Sequence, residues 1–193
     1  MPSIPQHQQF LDKAIDSIHK QQYPEGWDVF LHVDGNPQET LGAKLNRMLE
    51  HVISLGAEFV VLTDSDDLHH PTRIQRQIQP LIDNRNLMMT GTSQIVFQDA
   101  RNKEVWKYRG NSALWIGGLA FAVEAWKAHR FENIGAGCDT KWQKQFSEQA
   151  RLDLQDESLM LCSIHASNTS KKYTVGREWM QLPDVPDTLM ELL

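Results

Sequence analysis

The fold is decided by residues 59–67, which read FVVLTDSDD. Residues 59–63 form a nearly continuous apolar run, the pattern of a strand buried on both faces in a parallel sheet. Three carboxylates follow at once, those of Asp64, Asp66 and Asp67. In α/β sheets, ligands bind beyond the carboxyl ends of the strands. The stretch therefore predicts an α/β domain whose acidic turn lies at the ligand-binding edge of the sheet.

Helical and strand patterns alternate around this stretch. Upstream, apolar residues recur at three- and four-residue spacing over residues 7–22 and again from Leu41 to Ile53, which predicts two helices. A strand is predicted between them at residues 27–33, where β-branched and aromatic residues precede a turn. Downstream, the patterns predict a helix after Pro71, helices at 124–129 and 139–150, and strands at 88–97, 104–108, 114–123 and 158–164. The order indicates a mostly parallel sheet with an antiparallel addition.

Length and charge narrow the class of protein. The 193 residues correspond to one domain, predicted at residues 1–175, with a C-terminal tail at residues 176–193. The net charge of −6 opposes a general nucleic-acid binder, because phosphate backbones attract basic surfaces. Cys138 and Cys162 are too few for a disulfide framework, and no apolar run approaches the ~20 residues of an integral membrane segment. We therefore expect a cytoplasmic location, either free or peripheral to a membrane, and leave a homo-oligomer open.

The acidic turn on its own is open to two interpretations. Crowded carboxylates repel one another unless a cation or hydrogen-bond donors neutralise them, and oxygen ligands suit Mg²⁺ or Mn²⁺. A bound metal would then join the protein to the phosphates of a nucleotide. The alternative is a solvated turn in which Asp67 caps the next helix. The acid cluster alone favours neither.

Several segments, taken in order, resemble the family 2 glycosyltransferases. Residues 63–73, TDSDDLHHPTR, are similar to that family's Asp-x-Asp-Asp segment with its following Pro and Arg. Residues 22–24 resemble the end of its Gln-x-Tyr-Pro turn, and residues 33–36 resemble its Asp-Asp-Gly-Ser turn. Segments 117–126, 135–140 and 165–170 resemble its acceptor-side strand, its Glu-Asp motif and its His-x-x-Asn-x-Ser stretch. The resemblance covers residues 2–172.

The resemblance implies the GT-A fold, a Rossmann-like mixed sheet flanked by helices. It also implies a nucleotide-sugar donor, expected to be a UDP-sugar, a divalent Mn²⁺ or Mg²⁺, and inverting transfer to a glycan, lipid-linked or other hydroxyl acceptor by one direct displacement. Asp139 is then the catalytic base, and Asp66, Asp64 and His165 are the metal ligands. The nucleotide-binding residues that it implies are Pro5, Asp34, Lys44, Asn46, Asp64 and Ser65, and its acceptor side consists of Gly118, Trp115 and Cys138.

The chain departs from the family pattern in two main places. The family begins with an apolar strand, whereas this sequence opens on MPSIP and contains little of that strand. Cys138 stands where Glu usually precedes the catalytic Asp. These departures motivate a second hypothesis, a noncatalytic domain of the same fold that binds nucleotide or glycan. A nucleotidyltransferase is a third and weaker hypothesis, because residues 1–9 lack a Gly-rich phosphate loop with Lys or Arg.

Each candidate side chain also has an ordinary structural interpretation. Asp139 is then a helix N-cap, although a helix start would also keep its carboxylate ionised for work as a base. His165 is then a loop histidine, and Cys138 an inert buried thiol. We expect His69 and His70 to lead into a helix rather than to bind zinc. The basic stretch of Lys171, Lys172 and Arg177 could close over phosphates, but we expect a solvated face. Four tryptophans could offer a platform on which a sugar stacks, but we expect most of them to lie in the core, namely Trp106, Trp115, Trp126 and Trp142.

Overall fold

The computed structural model describes residues 1–3, 8–36, 38–110, 113–168 and 171–193. Its helices are α1 (Gln8–His19), α2 (Leu41–Ser54), α3 (Arg73–Asp83), α4 (Val123–Ala128) and α5 (Cys138–Gln143). Its strands are β1 (Phe59–Val61), β2 (Leu68–His69), β3 (Met89–Gly91), β4 (Gln94–Asp99), β5 (Val105–Arg109), β6 (Ala120–Ala122), β7 (Arg151–Asp153), β8 (Met160–Ile164) and β9 (Trp179–Leu182). None of the helices in these ranges is long and apolar enough to cross a membrane.

Two mixed sheets carry the fold. In the first, β6 lies between β1 and β3 and is antiparallel to both, and β7 pairs with β3 in parallel. The second has the order β2-β8-β4-β5-β9, and its β8–β4 pair is parallel while its other pairs are antiparallel. The predicted mixed α/β class is confirmed. The mostly parallel sheet is wrong, because five of the seven strand pairs in the described chain are antiparallel and only β3–β7 and β4–β8 are parallel.

The strand predicted at residues 27–33 is also wrong. Among the described residues, the sheet pairing in this region is one isolated parallel bridge between Pro2 and Asp34. A strand needs a neighbour to satisfy its backbone groups. A cavity lies between residues 27–32 and the edge of β1, and both segments line it. Residues 27–32 therefore do not pair with β1.

Three other predicted elements are divided or shorter. The strand predicted at 88–97 becomes β3 and β4, because Ser93 donates its N–H and its Oγ to the Asp153 carboxylate at 3.0 and 2.5 Å and the chain passes there from one sheet to the other. Only the end of 114–123 is a strand, since Ile116–Gly118 form a 3₁₀ turn. The helix predicted at 139–150 ends at Gln143, because the N–H groups of residues 145 and 146 bond three residues back instead of four.

Helix α2 holds the loop that leads into α5. Thr40 caps α2, accepting a hydrogen bond from the Ala43 N–H at 3.2 Å. The N–H of Gly42 donates to the Ile134 carbonyl at 3.1 Å, and a Cβ on Gly42 would overlap the backbone carbonyl of Glu132. Only glycine permits this close approach, which fixes the loop before Asp139.

The C-terminal segment 176–193 packs on the second sheet. Strand β9 pairs with β5, and the side chains of Val185 and Leu189 are buried against Val96, Val105 and Leu161. The C-terminal segment is therefore an integral part of the second sheet, because it completes a sheet edge and buries apolar area. Its separation from a domain at residues 1–175 stays a prediction.

Substitution of Gly42 tests the contact between α2 and the loop. Alanine is the better helix former, yet we expect Gly42→Ala to lower the free energy of unfolding by about 1–3 kcal/mol, because the new methyl group displaces the Glu132 carbonyl. Urea denaturation measures the change. Gly35→Ala is the control, since nothing lies within 4 Å of its Cβ position. Equal stability of the two variants would show that the close approach does not exist.

Candidate functional site

The acidic loop after β1 lies in a cavity of about 330 Å³ where the two sheets meet. The loop runs from β1 in the first sheet to β2 in the second. The cavity is also lined by the chain start, the N-terminal turn of α2, the start of α5 and the segment after β8. Its polar lining includes Ser3, Lys44, Asp64, Ser65, Asp66, Asp67, Asp139, Asn168 and Lys172.

Asp66 and His165 lie together at this site. The Nε2 of His165 is 2.9 Å from Oδ2 of Asp66, and Asn168 donates from Nδ2 to the same oxygen at 3.2 Å. The ring of Phe10 on α1 stacks on the His165 ring with centroids 4.5 Å apart. Two residues predicted as metal ligands are thus neighbours, although 99 positions separate them in the sequence.

The side chain of Asp67 is buried, and that of Asp64 is half-buried, beside Asp66. Burial, and then the neighbouring Asp66 charge, raise the pKa of Asp64 to about 6. The same two causes raise the pKa of Asp67 well above its usual value, although the Cys162 thiol and the Ser163 N–H donate to it at 3.0 and 3.1 Å. The alternative in which Asp67 is an N-cap is wrong, because α3 begins at Arg73 and its N-cap residue is Thr72.

Arg73 anchors both ends of the acidic loop. Its guanidinium is 1% exposed and donates to the Leu62 carbonyl at 2.6 Å, to Oε1 of Gln77 at 2.8 Å and to Nδ1 of His69 at 2.5 Å. Since a guanidinium accepts no hydrogen bond, Nδ1 of His69 is the acceptor and its ring is neutral. Burial, and then the Arg73 charge, lower the pKa of His69, in keeping with that state. His69 therefore has a structural role, and it lies in β2 rather than in a helix.

Asp139 reaches the same cavity from the start of α5. Burial raises the pKa of its carboxyl, while the N–H of Thr140 opposes the shift. The expectation that the helix start dominates is wrong, because α5 spans six residues and desolvation outweighs its dipole. The N-cap interpretation is also wrong, because Gly137 occupies that position in a left-handed conformation with φ of 74°.

Lys172 lines the cavity, which favours the phosphate-facing alternative for this residue over the solvated face. Its Nζ lies 4.6 Å from the centroid of the Trp115 ring, a cation–π contact. Its charge lowers the pKa of both Asp64 and Asp139. The predicted solvated face is therefore wrong for Lys172, because half-burial and a ring contact hold it over the acids. The available signal was its place seven positions after His165 in the same loop.

Other predicted residues lie in or next to the cavity. Ser65 and Lys44 line it, and Nζ of Lys44 donates to the Ser3 carbonyl at 2.9 Å. Asp34 adjoins it through the bridge to Pro2 and pairs with Arg47 at 2.5 Å. Pro5 falls outside the described residues.

Three predicted residues lie elsewhere. Asn46 is bonded to the Phe131 backbone and to Nε1 of Trp126, so it supports the α2 packing and does not line the site. Cys138 is fully buried in the core, and burial raises the pKa of its thiol to about 11, as the inert interpretation expected. Gly118 is buried, and its carbonyl accepts from Nε2 of Gln77 at 2.5 Å.

The tryptophans divide as expected. Trp126 and Trp142 are buried in the main core, whereas Trp115 lines the cavity. For metal binding, no group of three or more His, Cys, Asp or Glu side chains is arranged to hold an ion in the part of the chain that the structure describes. The oxygen donors of Asp64 and Asp66 are nevertheless the type that Mg²⁺ and Mn²⁺ prefer, with the remaining positions left to water or phosphate.

Comparison with known proteins extends this picture. No protein-family model and no curated protein matches the chain. The chain is similar in fold to S. aureus TarS. The TarS 1–349 structure in complex with UDP matches with a TM-score of 0.58 at 14% identity, over 84% of this chain and 59% of that one. The TarS 1–349 structure in complex with UDP-GlcNAc matches with a TM-score of 0.58 at 13% identity, over 86% of this chain and 58% of that one. A further TarS structure matches with a TM-score of 0.55 at 14% identity, over 84% of this chain and 36% of that one.

These matches show the fold, a mixed α/β fold of the glycosyltransferase type, as predicted. This chain spans three fifths or less of each TarS chain. Membership of family 2 stays a prediction.

The raised pKa of Asp64 predicts that the folded state loses stability as the pH rises. The folded state holds a proton on this carboxyl up to about pH 6, whereas the unfolded state loses it near 3.8, so stability falls as pH rises between these values. We expect Asp64→Asn to match the parent near pH 4 and to be more stable by about 1–3 kcal/mol at pH 7 without divalent metal. Thermal denaturation across this pH range measures the difference in stability between the variant and the parent, with Asp12→Asn at an exposed position as the control. A difference that does not grow with pH would contradict the raised pKa of Asp64.

Proposed function

We propose that this protein is a glycosyltransferase that moves a sugar from a UDP-sugar to an acceptor hydroxyl. The observation that carries the proposal is the convergence of Asp64, Asp66 and Asp139 on one cavity. The fold, shared with TarS structures that contain UDP and UDP-GlcNAc, supports a nucleotide-sugar donor. The cytoplasmic location and the oligomeric state stay predictions.

In this proposal Asp66 and Asp64, with His165, hold a divalent Mn²⁺ or Mg²⁺. The crowding of buried carboxylates supports it, because a cation between them would relieve the repulsion that raises the pKa of Asp64. When bound, such an ion offsets the negative charge that develops on a departing nucleoside diphosphate. Asn168 and His165 keep the Asp66 carboxylate oriented by their contacts with Oδ2.

The remaining lining residues are assigned to the two substrates. Ser65 and Lys44 face the donor nucleotide, and Lys172 supplies a positive charge for its phosphates. Asp34 and Pro5 are assigned to the nucleotide side by the family resemblance. Trp115 offers an indole face on the acceptor side, where an apolar C–H face of a sugar packs well.

Asp139 is the proposed catalytic base. Burial raises the pKa of its carboxyl, which makes the carboxylate a stronger base and favours this role. The acceptor hydroxyl gives its proton to the Asp139 carboxylate as its oxygen bonds to the anomeric carbon. The bond from that carbon to the phosphate oxygen breaks at the same time, and the electron pair leaves with UDP. Attack opposite the leaving group inverts the anomeric centre.

A noncatalytic domain that binds nucleotide or glycan is the second candidate. It is favoured by one finding, that no three His, Cys, Asp or Glu side chains in the described ranges are ready to hold an ion. Binding and turnover must therefore be measured separately.

Asp66→Asn tests the metal and nucleotide assignment. Since the amide keeps the shape but loses the charge, we expect affinity for UDP in Mn²⁺ to fall at least about tenfold. Isothermal titration calorimetry with and without chelator measures it, with Asp12→Asn as the control. An unchanged Mn²⁺-dependent affinity would remove the acidic loop from the proposal.

Asp139→Asn tests the base. We expect transfer from a UDP-sugar to fall by about 10²–10⁴-fold while UDP affinity stays within twofold, because the carboxylate acts on the acceptor proton. Release of UDP, followed across a panel of sugars and acceptors, is the readout. If the parent protein binds UDP but releases none from any donor, the noncatalytic candidate replaces the enzyme.

A further inference from the structure

Residues 114–118 lie between the helix that carries Asp139 and the acidic loop, and we refer to them as the bridge segment. Its first residue, Leu114, is buried in the main core. The next two residues, Trp115 and Ile116, line the acidic cavity. Its last three residues form the 3₁₀ turn that precedes β6. The bridge segment is therefore one wall of the candidate site.

The bridge segment lies directly against the acidic loop at Gly117. A Cβ built on Gly117 would lie 2.6 Å from Oδ2 of Asp64 and 3.4 Å from Oδ2 of Asp67. The first distance is too short for a carbon atom, so only glycine lets the backbone approach the Asp64 carboxyl this closely. At the next residue, the Gly118 carbonyl accepts a hydrogen bond from the buried Gln77 of α3. The end of the bridge segment is thus fixed beside the acids.

Gln143 holds the other end of the bridge segment. Its Oε1 accepts from the Leu114 N–H at 2.9 Å, and its Nε2 donates to the Leu114 carbonyl at 2.8 Å. The side chain is 1% exposed. A side-chain amide presents a donor and an acceptor next to each other, so Gln143 satisfies both backbone groups of one buried residue, as a neighbouring strand would.

Gln143 and Asp139 belong to the same face of α5, because four residues separate them. Asp139 lines the cavity, and Gln143 holds the residue that precedes Trp115. The adjacent Trp142 has a different partner, since its ring is buried in the main core and its Nε1 donates to the His129 carbonyl at 2.7 Å. Trp142 therefore fixes α5 to the core, whereas Gln143 fixes it to the bridge segment.

We propose that Gln143 is a positioning residue that fixes the distance between the Asp139 carboxyl and the bridge segment. The inference rests on the proposed function for the role of Asp139 as the base. Trp115 is assigned to the acceptor side and Gly117 touches the metal side, so one amide places the base relative to both. If Gln143 had only a local role, it would satisfy Leu114 and affect nothing further.

Two substitutions of Gln143 separate these roles. Gln143→Met keeps the approximate size of the side chain and loses both hydrogen bonds. Gln143→Glu keeps both bonds while its carboxyl is protonated and loses the donor when it ionises. Burial and the nearby Asp139 charge raise the pKa of the new carboxyl, so this variant should match the parent at about pH 5 and Gln143→Met at about pH 8. Gln145→Met, at an exposed position two residues further on, is the matched control.

Amide hydrogen exchange gives a readout that needs no turnover. The Lys141 N–H donates to the Gly137 carbonyl at 3.0 Å and reports on the turn of α5 that carries Asp139. The Trp115 N–H donates to the Thr92 carbonyl at 3.0 Å and reports on the bridge segment. Neither amide bonds to Gln143, so a change at both shows that the loss of its hydrogen bonds is felt on each side.

We expect Gln143→Met to speed exchange of both reporter amides at least about tenfold relative to their intrinsic rates, and Gln145→Met to leave them within about twofold. Acceleration at Leu114 alone, or at fewer than both reporters, would overturn the proposal, because the glutamine would then act only locally. If Gln143→Met does not fold, the same comparison is made with Gln143→Glu between the two pH values.

The rate of UDP release at saturating donor gives a second readout, compared with the parent at the same pH. We expect Gln143→Met to lower kcat at least about tenfold, because a small misplacement of the base is costly, while UDP affinity stays within about twofold. Gln143→Glu should recover the parent rate at the lower pH. An unchanged kcat in folded Gln143→Met would overturn the proposal. If the parent releases no UDP, the proposed function fails, and the exchange result decides whether Gln143 positions α5.

Discussion

The buried guanidinium of Arg73 is the constraint on which the site depends. Removing such a cation from water costs free energy unless its donors are satisfied, so its acceptors must be held in place together. Two of them lie on either side of the acidic loop, the Leu62 carbonyl before it and the His69 ring after it. The third, Gln77, extends the network to the Gly118 carbonyl and so to the turn that leads into β6. The six residues between these anchors, residues 63–68, have little freedom.

Because the loop is fixed at both ends, its carboxylates cannot move apart. Folding therefore bears the cost of their repulsion and desolvation before any ligand arrives, as the raised pKa of Asp64 and of Asp67 shows. A ligand that brings positive charge recovers part of that cost. This is electrostatic preorganisation: the crowded carboxylates lower the stability of the unliganded fold, and binding of a positively charged ligand is more favourable as a result.

The sequence predicted the elements whose signal is local. Residues 59–61 form a strand as predicted, and α1 and α2 form where the helical periodicity placed them. The strand is nevertheless half-buried and antiparallel to β6, so the prediction of a strand buried on both faces in a parallel sheet is wrong. The strand predicted at residues 27–33 does not form, and the reason is physical. β-propensity reports which side chains suit a strand, but it does not report whether a partner strand exists. The pKa of Asp139 was misjudged because burial depends on the whole fold.

The site itself was only partly accessible from sequence. Asp66 and His165 were paired through the family resemblance, as no spacing rule connects residues 99 positions apart. The sequence favoured a solvated face for Lys172 over a place at the site, because a contact between a cation and an indole ring depends on the course of the chain. Asn46 occupies a position where the resembled family has a nucleotide-binding Asn. Its side chain instead makes three hydrogen bonds that hold α2 against residues 126 and 131.

The meeting of the two sheets at the acidic loop has a mechanical consequence. Asp66 and His165 are positioned by β2 and β8 of the second sheet. Asp139 belongs to α5, which packs on the hydrophobic core beside the first sheet. The separation of these groups is therefore set by how the two sheets are held together at the acidic loop, where the Arg73 guanidinium joins the Leu62 carbonyl beside β1 to the His69 ring on β2.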